Sequence, residues 1–277
     1  MPGREERLGN ALLVGIALAL VLLAPKPAFG QSQNPSPMVE TTRAHERLGR
    51  IPLDGITRTV PGPDGQPVEL FVPASAIAEE PFTLVVHFHG ASWIPAQAVA
   101  RFDGNLLAAT VNLGAGSRAY DRAFGDPAVF EILLQHIAHG ASEALGAEIQ
   151  LEHIALSAFS AGHGAVRAIL RDSSHFAAIG SVLLMDGMHT SYVPEARVLA
   201  DGGVLDVHNL EVFAKLASAA MAGRKRFLVT HSEIFPATFA STTETADWLL
   251  GEVRLDRAAV LEWGPRGMQQ LSSVASG

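Results

Sequence analysis

Apolar runs alternate along this chain with segments whose apolar residues recur at helical spacing. The near-continuous apolar runs are 82–88, 106–113 and 153–159, and further strand patterns lie at 179–186 and 226–232. The segments with helical spacing are 127–146, 165–173, 209–223 and a stretch around 241–250. Continuous apolar runs are typical of strands that are buried on both faces of a parallel sheet. The alternation therefore predicts an α/β fold with a mostly parallel central sheet and helices on both faces.

The two ends of the patterned region differ from its middle. Residues 51–60 and 68–73 flank a Pro-Gly-Pro-Asp-Gly turn, which predicts an N-terminal β-hairpin. The tail at 254–277 contains no clear buried strand and ends in a Ser/Gly-rich stretch. We place the folded domain at 51–277.

The first thirty residues predict an export signal. A fourteen-residue apolar run at 11–24 follows Arg4 and Arg7, and it is shorter than the roughly 20 residues that a spanning helix needs. Small residues at Ala28 and Gly30 predict a signal peptide at 1–30, cleaved after Gly30, and an uncleaved membrane anchor is the alternative. The polar, Pro-containing segment at 31–50 predicts a linker. We expect a periplasmic or secreted protein.

Composition excludes several classes of function. The chain has 277 residues, of which 48% are hydrophobic, so it has enough apolar side chains to form a core. A formal net charge of −8 argues against a nucleic-acid partner, because such partners bind a basic face. With no cysteine, neither disulfides nor Cys-based metal sites can form.

The strongest chemical motif lies where the strand at 153–159 changes into a helix at Ser160. A serine at such a turn exposes its oxygen, and the first N–H groups of the helix point toward negative charge that develops there. The turn needs small neighbours, which are Ala158 and Gly162. The sequence resembles the nucleophile elbow of the α/β-hydrolase superfamily, with Ala in place of the first Gly. The resemblance implies an α/β-hydrolase-like fold and a nucleophilic Ser160.

The resemblance also implies an oxyanion hole. The buried strand at 82–88 ends in His89-Gly90, and in this superfamily such a dipeptide precedes one backbone donor, here Ala91. The second donor would be the N–H of Ala161, directly after the nucleophile. His87 and His89 share one face of the strand, so they also allow a weaker hypothesis of a metal-dependent hydrolase.

The triad acid should follow a later strand, and two carboxylates qualify. Asp186 ends the run at 179–186, and Glu233 follows the strand at 226–232. We favour Asp186, because Gly187 lets the chain turn away and leaves the carboxylate at the carboxyl edge of the sheet.

The histidine of the triad departs from the superfamily pattern. The base normally follows the acid in a loop after the last strand, yet no His lies beyond His231. Either His231 or His189 takes this role from an unusual position, His231 being the better substitute, or the domain is incomplete at its C-terminus; we favour the latter. His163 is expected to lie close to Ser160 without acting as its base.

These observations predict an exported serine hydrolase that acts on an ester or related acyl bond, with no cofactor or metal. Its substrate would be a small-molecule or lipid-like acyl compound, and membrane contact is expected only through an uncleaved N-terminal segment. The alternative is a non-catalytic or truncated protein that keeps the elbow without a base.

Overall fold

The computed structural model describes residues 49–263 and 269–274. Their strands are Gly55–Pro61 (β1), Pro67–Pro73 (β2), Phe82–Phe88 (β3), Leu106–Val111 (β4), Leu151–Phe159 (β5), Ile179–Met185 (β6), Tyr192–Val193 (β7), Val204–Leu205 (β8), Arg226–Thr230 (β9), Ala258–Trp263 (β10) and Gln269–Ser273 (β11). Their α-helices are Trp93–Val99 (α1), Ser117–Ala123 (α2), Pro127–Leu145 (α3), His163–Arg171 (α4), Ser173–Ala178 (α5), Glu211–Met221 (α6) and Thr242–Val253 (α7). Short 3-10 turns cover Pro63–Gly65, Ser160–Gly162, Leu199–Asp201 and Val207–Asn209.

Seven strands form the central sheet in the order β1-β2-β4-β3-β5-β6-β9. The strands from β4 to β9 run parallel, and β2 pairs antiparallel with both β1 and β4. The predicted fold class is therefore confirmed, including the N-terminal hairpin, which is formed by β1 and β2. Because β3, β5, β6 and β9 are parallel neighbours, their carboxyl ends meet at one edge of the sheet.

The longer helices begin and end at residues suited to those places. Asp126 accepts a hydrogen bond from Ala128 N–H at the start of α3, Pro127 is its first residue, and Gly146 ends it with φ of +66°. Ser241 and Glu244 form a capping box at the start of α7, as their spacing predicts.

Helices cover the two faces of the sheet unequally. On one face α3, α4, α5 and α6 pack over the strands and bury the main core. On the other face α1 packs over β2 and β4, where Ala96 and Val99 contact Phe71 and Ala108. Over β3, β5, β6 and β9, this second face carries partly exposed side chains among the described residues.

The tail folds as an antiparallel hairpin of its own, in which β10 pairs with β11 and neither joins the central sheet. No helix in the described part of the chain is long and apolar enough to cross a membrane. The predicted signal peptide at 1–30, and all of the predicted linker at 31–50 except its last two residues, lie outside the described residues.

Candidate active site

Ser160 lies in the tight turn between β5 and α4. Its backbone has φ of +44°, a left-handed conformation that non-glycine residues seldom adopt. The 3-10 turn at Ser160–Gly162 follows at once, and α4 continues from His163. The strand stops abruptly and the serine stands at the apex of the turn, which is the backbone geometry that the predicted elbow requires.

The elbow is possible because two glycines permit close backbone approach. A Cβ on Gly162 would lie 2.1 Å from the carbonyl oxygen of Phe88, so any side chain there would collide with the end of β3. A Cβ on Gly187 would lie 2.8 Å from the carbonyl oxygen of Ser160. The turn that follows β6 therefore packs directly on the backbone of the serine.

The loop after β3 places Ala91 beside the elbow. His89 has φ of +68° and Gly90 has φ of +126°, so the chain turns sharply here. The side chain of Asn112 holds the turn, accepting from Gly90 N–H at 2.9 Å and donating to the Gly90 carbonyl at 3.0 Å. Ala91 is exposed, and its N–H makes no hydrogen bond with any described residue.

The second predicted donor, Ala161, is buried in the first turn after the serine. Backbone N–H groups in a first helical turn have no partner within the helix. Among the described residues, both predicted oxyanion donors are thus free to donate to an external acceptor.

Asp186 lies at the carboxyl end of β6, next to Ser160. Its φ is +47°, its N–H donates to the Thr230 carbonyl at 2.7 Å, and its carboxylate accepts a hydrogen bond from the Ser232 hydroxyl. Glu233, the other candidate acid, is exposed after β9, and its carboxylate makes no hydrogen bond with a described residue. The structure brings Asp186, but not Glu233, into the hydrogen-bonded network at this edge.

Two histidines contact the backbone of the strand ends at this edge of the sheet, the buried His163 and the half-buried His189. His163 Nδ1 is 2.9 Å from the Ser160 carbonyl oxygen, and its ring contacts that of His189, with centroids 5.5 Å apart. Burial, together with the neighbouring His189, lowers the pKa of His163 to about 3. His189 lies with Nδ1 3.0 Å from the Ala240 carbonyl oxygen and Nε2 3.1 Å from that of Asp186.

His231 is engaged by partners other than Ser160. Its Nε2 lies 3.0 Å from Arg257 Nη1, and because arginine can only donate, this nitrogen is the acceptor. Its Nδ1 lies 3.1 Å from Thr243 Oγ1 and 3.1 Å from the Ser232 carbonyl oxygen. Within residues 49–263 and 269–274, no imidazole hydrogen-bonds to Ser160 Oγ or to the Asp186 carboxylate.

His87 of β3 and His89, directly after it, are hydrogen-bonded to residues other than Ser160. His87 Nδ1 lies 2.6 Å from Ser157 Oγ, and burial lowers the pKa of His87 to about 4. His89 Nδ1 lies 3.0 Å from the Tyr120 hydroxyl, and burial lowers the pKa of His89 as well. No three His, Asp or Glu side chains of the described chain lie close enough together to hold a metal ion.

The strand order and the elbow after β5 decide the fold. This chain has an α/β-hydrolase-like fold. No family model and no curated protein matches the sequence.

Solved structures with this fold are similar to the chain at low sequence identity. A mutant feruloyl esterase module from Clostridium thermocellum matches with 9% identity and a TM-score of 0.44, over 76% of this chain and 77% of that one. An esterase from Pyrobaculum calidifontis matches with 13% identity and a TM-score of 0.44, over 73% and 72%. A bacterial heroin esterase matches with 15% identity and a TM-score of 0.43, over 86% and 96%.

Three residues that support the site have no signal in the sequence. Ser157 bonds His87 because the two are directly opposite in the parallel register of β3 and β5. Tyr120 holds His89 from α2, and Ser232 holds Asp186 from the loop after β9. Each contact joins segments far apart in the chain.

Proposed function

We propose that this protein is an exported serine hydrolase that acts on an ester or related acyl bond, with Ser160 as the nucleophile. The observation that carries the proposal is the left-handed backbone of Ser160 at the apex of a strand-to-helix turn. Backbone strain of this kind costs about 1–3 kcal/mol and is concentrated at functional sites. In this position the hydroxyl is directed out of the sheet edge toward an incoming acyl group.

In the proposed reaction, Ser160 Oγ attacks the carbonyl carbon while its proton passes to a base. The N–H groups of Ala91 and Ala161 stabilise the oxyanion of the tetrahedral intermediate. The alcohol then departs with a proton, and water attacks the acyl-serine to release the acid. The unpaired N–H of Ala91 and the position of Ala161 in the first turn support these roles.

Asp186 is the proposed acid, and its position beside the Ser160 backbone supports this over Glu233. The base is the least supported role. His231 is engaged by Arg257 and Thr243, and His189 by two carbonyl oxygens, so either ring would have to leave these partners to serve Ser160.

A non-catalytic acyl-binding protein is the second candidate. It is favoured by one observation, that among the described residues no imidazole hydrogen-bonds to Ser160 Oγ. Such a protein would bind the same small-molecule or lipid-like acyl compounds through the elbow without cleaving them.

A fluorophosphonate probe separates the two candidates, because only an activated serine is phosphonylated. We expect labelling of Ser160, identified by peptide mass, together with hydrolysis of a short p-nitrophenyl ester. The variant Ser160→Ala should lose both, whereas Ser218→Ala, at an exposed serine on α6, should keep both. Absent labelling of a protein that is folded by circular dichroism would reject the hydrolase in favour of the binding protein.

If labelling occurs, the base can be identified by substitution. Removing a general base costs about 10²–10⁴-fold in rate. Replacement of His189 or His231 by Gln should therefore slow labelling to this extent at one position and leave it unchanged at the other. Export is tested separately, by N-terminal sequencing of the protein recovered from outside the cytoplasm, and we expect the mature chain to begin at Gln31.

A further inference from the structure

The second face of the sheet contains an apolar groove of about 390 Å³ that no described helix covers. One register row across it contains Val85, Ala155, Ser181 and Arg226, which are opposite one another on β3, β5, β6 and β9. Two residues further along the strands, the next row on the same face includes Leu183 and Leu228. We call these six residues the open sheet face.

Small side chains form the floor of the groove and larger ones form its rim. Leu228 is 58% exposed on β9, which is the edge strand of the sheet in the described chain. Arg226 is exposed at the outer end of its row and forms no ion pair with a described acidic residue. An exposed edge strand beside an apolar face is a typical site for association with another polypeptide segment.

The tail hairpin, β10–β11, presents a second apolar surface. Trp263 is opposite Gln269, so Leu271, two residues beyond Gln269 on β11, lies on the same face as Trp263. Leu261 lies beside them on β10, within the register shift between Ala259 and Glu262. Leu261 is 75% exposed, Trp263 77% and Leu271 52%. Monomeric proteins rarely leave a contiguous group of side chains of this size in water.

We propose that two copies of this chain form a two-fold dimer in which the apolar face of each β10–β11 hairpin lies on the open sheet face of the other copy. Two-fold symmetry makes each copy contribute one hairpin and one groove, so both apolar surfaces are covered in both copies. Four parallel strands span about 14 Å, which is wide enough to receive a two-stranded hairpin packed face to face.

The area and chemistry of the two surfaces match. Burying an aliphatic side chain removes about 60–120 Å² of apolar surface and a tryptophan about 150–250 Å². With each contact made twice, the dimer buries about 1,000 Å², the size at which specific interfaces begin. Trp263 is the natural partner for Arg226, because a guanidinium stacks favourably on an indole ring.

The base of the hairpin is bonded to the domain, and the hairpin itself is left exposed. Arg257, directly before β10, donates to Asp247 of α7 at 2.7 Å and to His231 at 3.0 Å. These bonds hold the base of the hairpin in place. The two strands of the hairpin pack mainly on each other and hardly on any other described strand or helix.

The absence of cysteine allows a clean cross-linking test. Two full-length chains with different tags, one with Leu228→Cys and one with Leu261→Cys, are mixed and treated with a short bis-maleimide. We expect a cross-linked pair that contains both tags. The control replaces Leu228→Cys with Ile132→Cys, at a 49% exposed position on α3, and should give no such pair.

The double variant Leu228→Cys/Leu261→Cys shows whether the hairpin on the open sheet face comes from the second copy or from the same chain. Cross-linked dimers support the proposal, whereas an internally cross-linked monomer shows that the hairpin docks on its own chain and overturns it. Light scattering of the unmodified protein should give twice the mass of the single chain that is used, and a monomer at micromolar concentration overturns the proposal as well.

Two variants at exposed residues test the contact between the hairpin and the open sheet face. Circular dichroism should show that both variants are folded. Trp263→Ala and Arg226→Glu should each raise the dimer dissociation constant at least ~10-fold. Ile132→Ala should leave it unchanged. An unchanged dimer in both Trp263→Ala and Arg226→Glu would place the interface elsewhere and refute the proposal.

Discussion

Acidification from pH 7 to pH 5 should destabilise this protein through two buried histidines. Burial lowers the pKa of His87 to about 4, and burial together with His189 lowers that of His163 to about 3, against 6.5 in the unfolded chain. Below pH 6.5 the unfolded chain therefore binds protons that the folded chain does not. The free energy of unfolding is at its full value above pH 6.5 and falls as the pH drops through that value.

The size of the effect follows from the two shifts. One pKa unit corresponds to about 1.4 kcal/mol, so each histidine lowers the free energy of unfolding by about 1.4 kcal/mol per pH unit below 6.5. At pH 5 the two together cost about 4 kcal/mol, a large part of the roughly 5–15 kcal/mol that holds a domain folded.

Urea unfolding at a series of pH values between 7 and 5 measures the slope of the free energy of unfolding against pH directly. His87→Gln and His163→Gln should each reduce the slope by about 1.4 kcal/mol per pH unit, whatever they do to stability at pH 7. His139→Gln is the matched control, because that side chain is 77% exposed on α3. An unchanged slope in both buried-site variants would refute the reasoning.

Three further substitutions have expected effects on stability. Gly162→Ala places a Cβ 2.1 Å from the Phe88 carbonyl oxygen and should cost at least about 2 kcal/mol and abolish probe labelling; a normally labelled, equally stable variant would contradict the elbow geometry. Ser157→Ala leaves buried His87 Nδ1 without its partner and should lower the free energy of unfolding in urea by about 1–3 kcal/mol, unless that hydrogen bond is absent. Ser241→Ala removes the N-cap of α7 and should cost about 1 kcal/mol by the same measurement, and no loss would argue against the cap.

The sequence predicts strands such as β3 and β4 well because nearly all of their side chains are buried or partly buried. A strand such as β3 is apolar at most positions. A short apolar run of this kind predicts a buried strand from the local sequence alone. The helix α2 has no comparable signal, since only Tyr120 and Ala123 of its residues are buried and the rest are small, polar or charged. The hairpin β10–β11 was missed for the related reason that its strands are exposed rather than buried.

The site was predictable only where its chemistry is local. Ser160 can be found because the switch from strand to helix and the small residues around it lie within one short segment. The bond from Ser232 to Asp186 depends on which strand ends are neighbours, and the pairing of His87 with Ser157 depends on register. Neither property is contained in a local pattern, because both follow from how distant strands align.

The backbone strain at this edge of the sheet argues for a site rather than for ordinary turns. His89, Ser160 and Asp186 end the three adjacent strands β3, β5 and β6, and all three are non-glycine residues with positive φ, between +44° and +68°. Each conformation costs about 1–3 kcal/mol, and glycine would adopt it without that cost. A turn needed only to reverse the chain would gain stability from glycine at these positions. An imidazole, a hydroxyl and a carboxylate stand at these adjacent strand ends instead of glycine, which supports the site proposed at this edge of the sheet.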